Sequence, residues 1–177
     1  HLHRWEKMGQ FLQEMDKAGV TQCVNLDAFS ENDDYLEQIK KTKELGQDRI
    51  ILFFVPDFGK IDEPDFAVKE AKKLEEAVKM GIRGLKIHKE LGLTVKDKTG
   101  QLVPVDDPRI DPLWAKCGEL GIPVMIHVSD PKAFFTPLDQ YNERYDELAA
   151  HPGWLFYGDE YPSKDEILAQ RNRMMAK

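Results

Sequence analysis

Five side chains carry the chemistry this sequence offers: the imidazoles of His1, His3 and His127, the amine of Lys86 and the guanidinium of Arg109. His1 and His3 stand two apart, a spacing that in a strand turns both rings to one face, where neutral nitrogens can share a cation. Taken alone, the pair reads equally well as an unstructured terminal stub. His127 closes the run Pro123-Val124-Met125-Ile126-His127, at the C-terminal end of a predicted buried parallel strand, where α/β enzymes keep ligand-facing side chains. A lone strand-end histidine is more often a hydrogen-bonded core residue. With His1 and His3 it makes three nitrogen donors able to converge on one metal.

The run Gly84-Leu85-Lys86-Ile87-His88 divides into two faces, with Leu85 and Ile87 suited to packing on helices and Lys86 and His88 turned the other way. A lysine there could ion-pair with a carboxylate, be carbamylated to bridge two metals, or serve as a Schiff-base amine. The plainer alternative is a lysine reaching toward the rim. His88 is a weaker candidate. In Asp106-Asp107-Pro108-Arg109 the arginine could clamp a substrate carboxylate in bidentate fashion, although pairing with its own Asp neighbours explains it more simply. Asn25, Asp27 and Asp130 are the residues that could support a ligand set from behind.

The elements that must position these groups follow from the apolar pattern. Strand-like runs recur at Val20 to Leu26, Ile50 to Val55, Ile82 to His88 and Ile122 to Val128. Amphipathic helical stretches lie between them. One, from Trp5 to Ala18, carries Trp5, Met8, Leu12 and Met15. Another has Ala67, Ala71, Leu74 and Val78 on one face, with Pro64 in its first turn. A third starts at Asp111 as N-cap and turns Trp114, Cys117 and Leu120 inward. Strand and helix alternate with connections too long for hairpins, so the class is α/β with parallel strands and right-handed crossovers. A closed eight-stranded barrel takes about 250 residues, so 177 residues hold part of one. A small open doubly wound sheet is the rival architecture.

Two connections exceed the usual length of about six residues. Lys89 to Ile110 should hold a hairpin around the Asp97-Lys98-Thr99-Gly100 turn. Ser129 to Pro162 should hold a short helix through Asn142 to Ala149, and Ser163 and Glu166 are spaced as a capping box for a last helix. Loops after parallel strands form the ligand face, so both excursions are expected over a site.

Composition bounds the function classes. The chain has 41% hydrophobic and 32% charged residues with a net charge of −7, a soluble balance that argues against nucleic acid or an anionic membrane as partner. A small-molecule substrate remains. Cys23 and Cys117 show no paired spacing and read as small buried hydrophobes. No phosphate loop, nucleophile elbow, paired-cysteine zinc motif or nucleotide fingerprint occurs. No secretory segment or membrane-length run occurs either, and the expected compartment is the cytoplasm if no presequence precedes His1.

The motifs, taken in order, resemble the amidohydrolase-related branch of the amidohydrolase superfamily, predicted metal-dependent hydrolases of the TIM-barrel fold. His1-Leu2-His3 matches that family's first-strand His-x-His, His127 its fifth-strand ligand and Gly84-Leu85-Lys86 its fourth strand. Lys89 to Leu93, Val105 to Trp114, Asp130-Pro131 with Phe134-Phe135, and Asn142-Glu143-Arg144 ahead of His151-Pro152 resemble one subgroup closely. The family's sixth-strand His and eighth-strand Asp have no counterpart in this sequence. The resemblance implies a single domain over 1–177, a (β/α)8 barrel represented by about four to five βα units and truncated on both sides. It implies one divalent metal, Zn²⁺ foremost and Mn²⁺ as the alternative, on His1, His3 and His127, with Lys86 carried over as an active-site residue. The activity it implies is hydrolysis of an amide, ester or lactone bond of a small metabolite by activated water. Non-oxidative decarboxylation of an aromatic or unsaturated acid is the second expectation. The third is an inert half-barrel or binding module whose open sheet edge is covered by another chain, such as a second copy.

Overall fold

The computed structural model describes residues 5–30, 35–128 and 130–177, without the side chains of Trp5 and Phe29. His1 and His3 therefore lie outside the described residues. The elements run α1 (Met8–Lys17), β1 (Cys23–Phe29), α2 (Tyr35–Leu45), β2 (Ile50–Val55), α3 (Phe66–Met80), β3 (Gly84–Ile87), α4 (Asp111–Leu120), β4 (Val124–Ile126), α5 (Tyr145–Ala150) and α6 (Lys164–Met175). The chain divides into two compact units, one of His1–Ile87 with Pro108–Ile126, the other of His88–Asp107 with His127–Lys177.

The first unit holds a parallel sheet in the order β1-β2-β3-β4. Each strand lies beside its successor, so the winding never reverses. That is the order of a barrel wall, whereas a doubly wound sheet reverses at a switch point. Leu52, Phe54, Leu85 and Ile87 share one face and are buried. The Phe54 ring meets Tyr35 of α2 edge-on at 6.1 Å, so this face packs on helices. Ile39, Leu74, Ala77, Leu113 and Cys117 supply the buried helical side. Burial pushes the Cys117 thiol up to about 11. On the other face lie Phe53, Lys86 and Met125. The far end of the Phe53 ring lies against Gly84, where a methyl group would stand 2.4 Å from its Cζ.

Several expected boundaries move. Strand β1 begins at Cys23, not Val20, because residues before it belong to the exit from α1: Val20 N–H bonds to Met15 O, and Arg49 binds the carbonyls of Val20 and Thr21. It then runs through Asp27 and Ala28, weak strand formers held by pairing with β2 across a register shift between Asn25 and Ala28. Helix α2 escapes the apolar pattern because Thr42 completes the buried stripe begun by Tyr35 and Ile39. Helix α3 starts at Phe66 with Asp65 as N-cap, which leaves Pro64 outside, and it buries Ala77 more deeply than Val78. In α4 the cap is Ile110, with Asp111 and Pro112 inside the first turn, and Leu113 is buried rather than Trp114 or Leu120.

A buried carboxylate fastens the strand ends. Glu70 on α3 is 2% exposed and accepts from Ser30 Oγ at 2.5 Å, from Asp57 N–H at 3.2 Å and from Lys73 Nζ at 2.8 Å. Ser30 follows β1 and Asp57 follows β2, so one side chain on a helix holds the exits of two strands.

The second unit is built on Leu93, Phe134, Leu148, Phe156 and Ile167. Its hairpin is the expected one: Lys96 bridges Leu102 in antiparallel fashion, and the Asp97 carboxylate accepts from Thr99 N–H, Thr99 Oγ1 and Gln101 N–H. Gly100 takes φ 81° there, a conformation glycine adopts without strain. The short helix forms as Tyr145–Ala150, and Ser163 caps α6 by accepting from Glu166 N–H at 3.2 Å. Gln170 is buried and joins α6 to Val105 N–H and Gly92 O. Among the described residues no helix is long and apolar enough to cross a membrane.

Replacing Glu70 by Ala should leave the buried Ser30 hydroxyl and the part-buried Asp57 N–H and Lys73 ammonium without their shared acceptor, at a cost of about 3 kcal/mol. Urea denaturation should show this as a lower midpoint at unchanged slope; a shift too small to measure would remove Glu70 from its fastening role.

Candidate functional site

In the first unit, Lys86 is 5% exposed on β3, between Leu85 and Ile87, both fully buried. Its register partner is Met125 on β4, which puts the amine on the face away from the helices, as the alternation requires. That face is partly open, with Met125 42% and Val24 44% exposed. Asn25 and Asp27 are buried on β1, Asp27 within the register shift. Irregularities of this kind re-aim a side chain near the end of a strand. Arg109 lies on the 3-10 turn Pro108–Ile110 and pairs with Asp62 at 3.5 Å, its side chain 38% exposed.

His127 follows β4 directly, at the strand's C-terminal end, and is partly buried. His88 occupies the same position after β3. Among the described residues no three His, Cys, Asp or Glu side chains form a group that could hold a metal; two members of the expected triad, His1 and His3, lie outside them. As a donor set, three imidazoles suit a borderline cation such as Zn²⁺ better than the harder Mn²⁺, and a histidine at a strand end is placed to serve as one of them.

The second unit gathers a charged and aromatic cluster from the two long excursions and the start of α6, and its contacts are not given by any short-range pattern. Asp130 receives two lysines: Lys89 Nζ reaches its carboxylate at 2.7 Å, and Lys164 Nζ reaches its peptide carbonyl at 2.5 Å. Lys89 also stands 4.8 Å from the Phe156 ring centre and Lys164 5.6 Å from that of Phe135, distances at which the ring faces attract a cation. A pocket of about 510 Å³ is lined by Lys89, Asp130, Phe134, Arg144, Glu147 and Trp154. His151 stacks on Trp154 at 4.1 Å. Asn142 holds the loop around this pocket, its amide donating to Ala133 O and Pro137 O and its carbonyl accepting from Arg144 N–H. Chemically the pocket offers two cations and an aromatic wall, with Asp130 and Glu147 balancing the charge. Asp130 is expected as a supporting group through its closeness to His127, while Lys89, Phe134, Arg144 and His151 enter only through motif resemblance. Lys89, after β3, and Lys164, at the start of α6, are 75 positions apart in a chain whose periodic signals mark neither, so only the folded unit brings them together.

Burial pushes the Lys164 ammonium down, against the pull of the nearby Asp130 charge, with Arg171 adding a smaller downward push. A lysine depressed in the folded state is penalised for carrying its proton, so its contribution to stability grows as pH rises from its folded value toward its ordinary one. Lys164 should therefore be acylated faster than the exposed lysines at mildly alkaline pH, and Asp130→Asn should quicken it further. Residue-resolved labelling followed by mass spectrometry reads both rates; slower labelling in the Asn variant would contradict this balance of burial against charge.

The comparisons agree with this architecture. The family described as Amidohydrolase matches residues 4–161. The crystal structure of 2,6-dihydroxybenzoate decarboxylase from Rhizobium superposes with a TM-score of 0.56 at 20% identity, covering 94% of this chain and 50% of that one. A 2,6-dihydroxybenzoate decarboxylase complexed with 2,6-dihydroxybenzoate gives 0.56 at 20% identity, over 94% and 49%. At that identity the likeness carries the fold, and it makes the sequential sheet part of a (β/α) barrel. The chain spans about half the length of these structures. No curated protein matches it.

Proposed function

We propose, for a chain that belongs to the amidohydrolase family, that it is part of a metal-dependent hydrolase acting on an amide, ester or lactone bond of a small metabolite. The observation behind this reading is His127 at the C-terminal end of a parallel strand, in a chain whose family match spans 158 residues, from 4 to 161. His1, His3 and His127 would hold the divalent cation, Zn²⁺ ahead of Mn²⁺. When bound, that cation acidifies water and polarises a carbonyl, which suits hydrolysis near neutral pH.

The chain's own residues would do the rest. Lys86 brings a buried amine to the sheet face that carries no helices, where it would stabilise negative charge developing on a substrate oxygen. Arg109 would contribute a guanidinium for a substrate carboxylate, at the expense of its contact with Asp62. An open sheet edge would be covered by further chain or a second copy.

Decarboxylation of an aromatic or unsaturated acid is the second reading, and one feature favours it. Lys89 and Arg144 line the same pocket as Phe134 and Trp154, a combination able to grip a carboxylate beside an aromatic ring.

Elemental analysis and zinc calorimetry on the chain and on His127→Ala test the metal. Stoichiometric zinc in the parent and its loss in the variant is expected; equal zinc in both would remove His127 from the ligand set. A parallel screen of the metal-loaded protein should release alcohol, amine or acid from hydrolysable substrates. Release of CO2 from 2,6-dihydroxybenzoate without any hydrolysis would move the assignment to the second reading.

A further inference from the structure

A different cavity lies at the N-terminal ends of the strands in the first unit, the opposite edge of the sheet from Ile87 and Ile126, where β3 and β4 finish. It has a volume of about 470 Å³, and Lys43 and Arg83 line it together with Asp48, Ile39, Ile50 and Met80. Lys43 is in the last turn of α2, and Arg83 stands between the end of α3 and β3. The positions of both are set by the backbone. Arg83 N–H bonds to Leu52 O at 3.0 Å, which pins its Cα beside β2. The Lys43 stem lies against Gly81, where a methyl group would come within 3.5 Å of Cδ and 3.6 Å of Nζ.

Two features separate this cavity from an ordinary crevice. In a chain with 32 acidic against 25 basic residues, most cations near an acid find one: Lys17, Lys69, Lys73, Lys79, Lys89 and Lys116 all do so within 3 Å. Lys43 and Arg83 share one cavity, and neither side chain has an ion pair or hydrogen bond among the described residues. Asp48 is the third charged group there, and its peptide carbonyl is occupied by Gln22 Nε2 at 3.2 Å. The loop that presents it is strained. Gln47 and Asp48 adopt φ of 52° and 59° in succession, left-handed conformations that cost a non-glycine residue stability and are retained where surrounding structure enforces them. Beside these groups stands the apolar wall of Ile39, Ile50 and Met80.

We propose that this cavity binds a small amphipathic oxyanion, with its phosphoryl or carboxylate head on Lys43 and Arg83 and its apolar body against Ile39, Ile50 and Met80. The two cations exceed Asp48 by one charge, and a guanidinium with an ammonium beside it gives an oxyanion several donors at once. Asp48 adds selectivity, since it repels a second negative group placed on the far side of the ligand. The site is independent of the metal reading, because none of its residues belongs to the proposed ligand set.

Calorimetric titration of the full chain with phenyl phosphate and with phenylacetate tests the site and separates the two head groups. Saturable binding of either is expected, weakened at least about tenfold in a Lys43→Gln/Arg83→Gln double variant and by added salt, and preserved in His127→Ala. Binding of phenyl phosphate alone assigns the head to phosphate, and of phenylacetate alone to carboxylate. Lys41→Gln, which removes one positive charge on the same helix but away from the cavity, should bind as the parent does. Both substituted residues are exposed, so circular dichroism should show the double variant folded. Absence of saturable heat with both ligands, or unchanged affinity in the double variant, overturns the proposal.

Discussion

Parallel strands laid side by side in chain order must all finish at the same edge, and this constraint governs the rest of the molecule. It sends His88 and His127 out from the same end of the sheet, after β3 and β4. It also makes the connections unequal. Those that return to the start of the next strand can be short and helical, whereas those that leave the finishing edge are free to lengthen, as the segments after β3 and β4 do. A family that changes its chemistry by changing loops needs this inequality, because the sheet can stay constant while the groups presented at one edge are exchanged.

The constraint creates an electrostatic problem that the chain answers in two ways. Strand exits carry backbone groups and polar side chains into partly buried surroundings, where an unsatisfied group costs more than a hydrogen bond returns. Around β1 and β2 the answer is Glu70, a carboxylate brought from a helix to collect a hydroxyl, a peptide N–H and an ammonium. In the second unit the answer is Asp130, which uses its carboxylate on one lysine and its carbonyl on another. In each case one acidic residue organises a junction between elements, and cations supply the remaining hydrogen bonds. Neither arrangement is a surface ion pair of the replaceable kind.

The legible part of the fold was the part written in local periodicity. The strand Ile50–Val55 and the stripes of α1 and α3 follow from spacing alone, and the Asp97 turn follows from its residue types. What escaped was decided at a distance. Asp27 and Ala28 join β1 because β2 is there to pair with them, and Thr42 is buried because it falls on the face of α2 set by Tyr35 and Ile39. The candidate site shows the same division. Lys86 could be placed on its face by alternation, and His127 at its strand end, while the convergence of Lys89 and Lys164 on Asp130 depends on the paths of two separate connections that no short-range rule describes. Arg109 was visible as a charge in an acidic setting, but Asp62 lies 47 positions upstream and could not be named as its partner.

The contact between Phe53 and Gly84 reaches beyond this one chain. An aromatic ring seated on a bare backbone leaves no volume for a side chain beneath it, so the two positions form a single steric unit shared between neighbouring strands. Sequence drift cannot treat them separately. A Cβ at position 84 requires the ring at position 53 to move or to shrink, so the demand for glycine there has nothing to do with turns or flexibility. Position 84 therefore records, in the plainest residue of the strand, which partner stands beside it in the sheet.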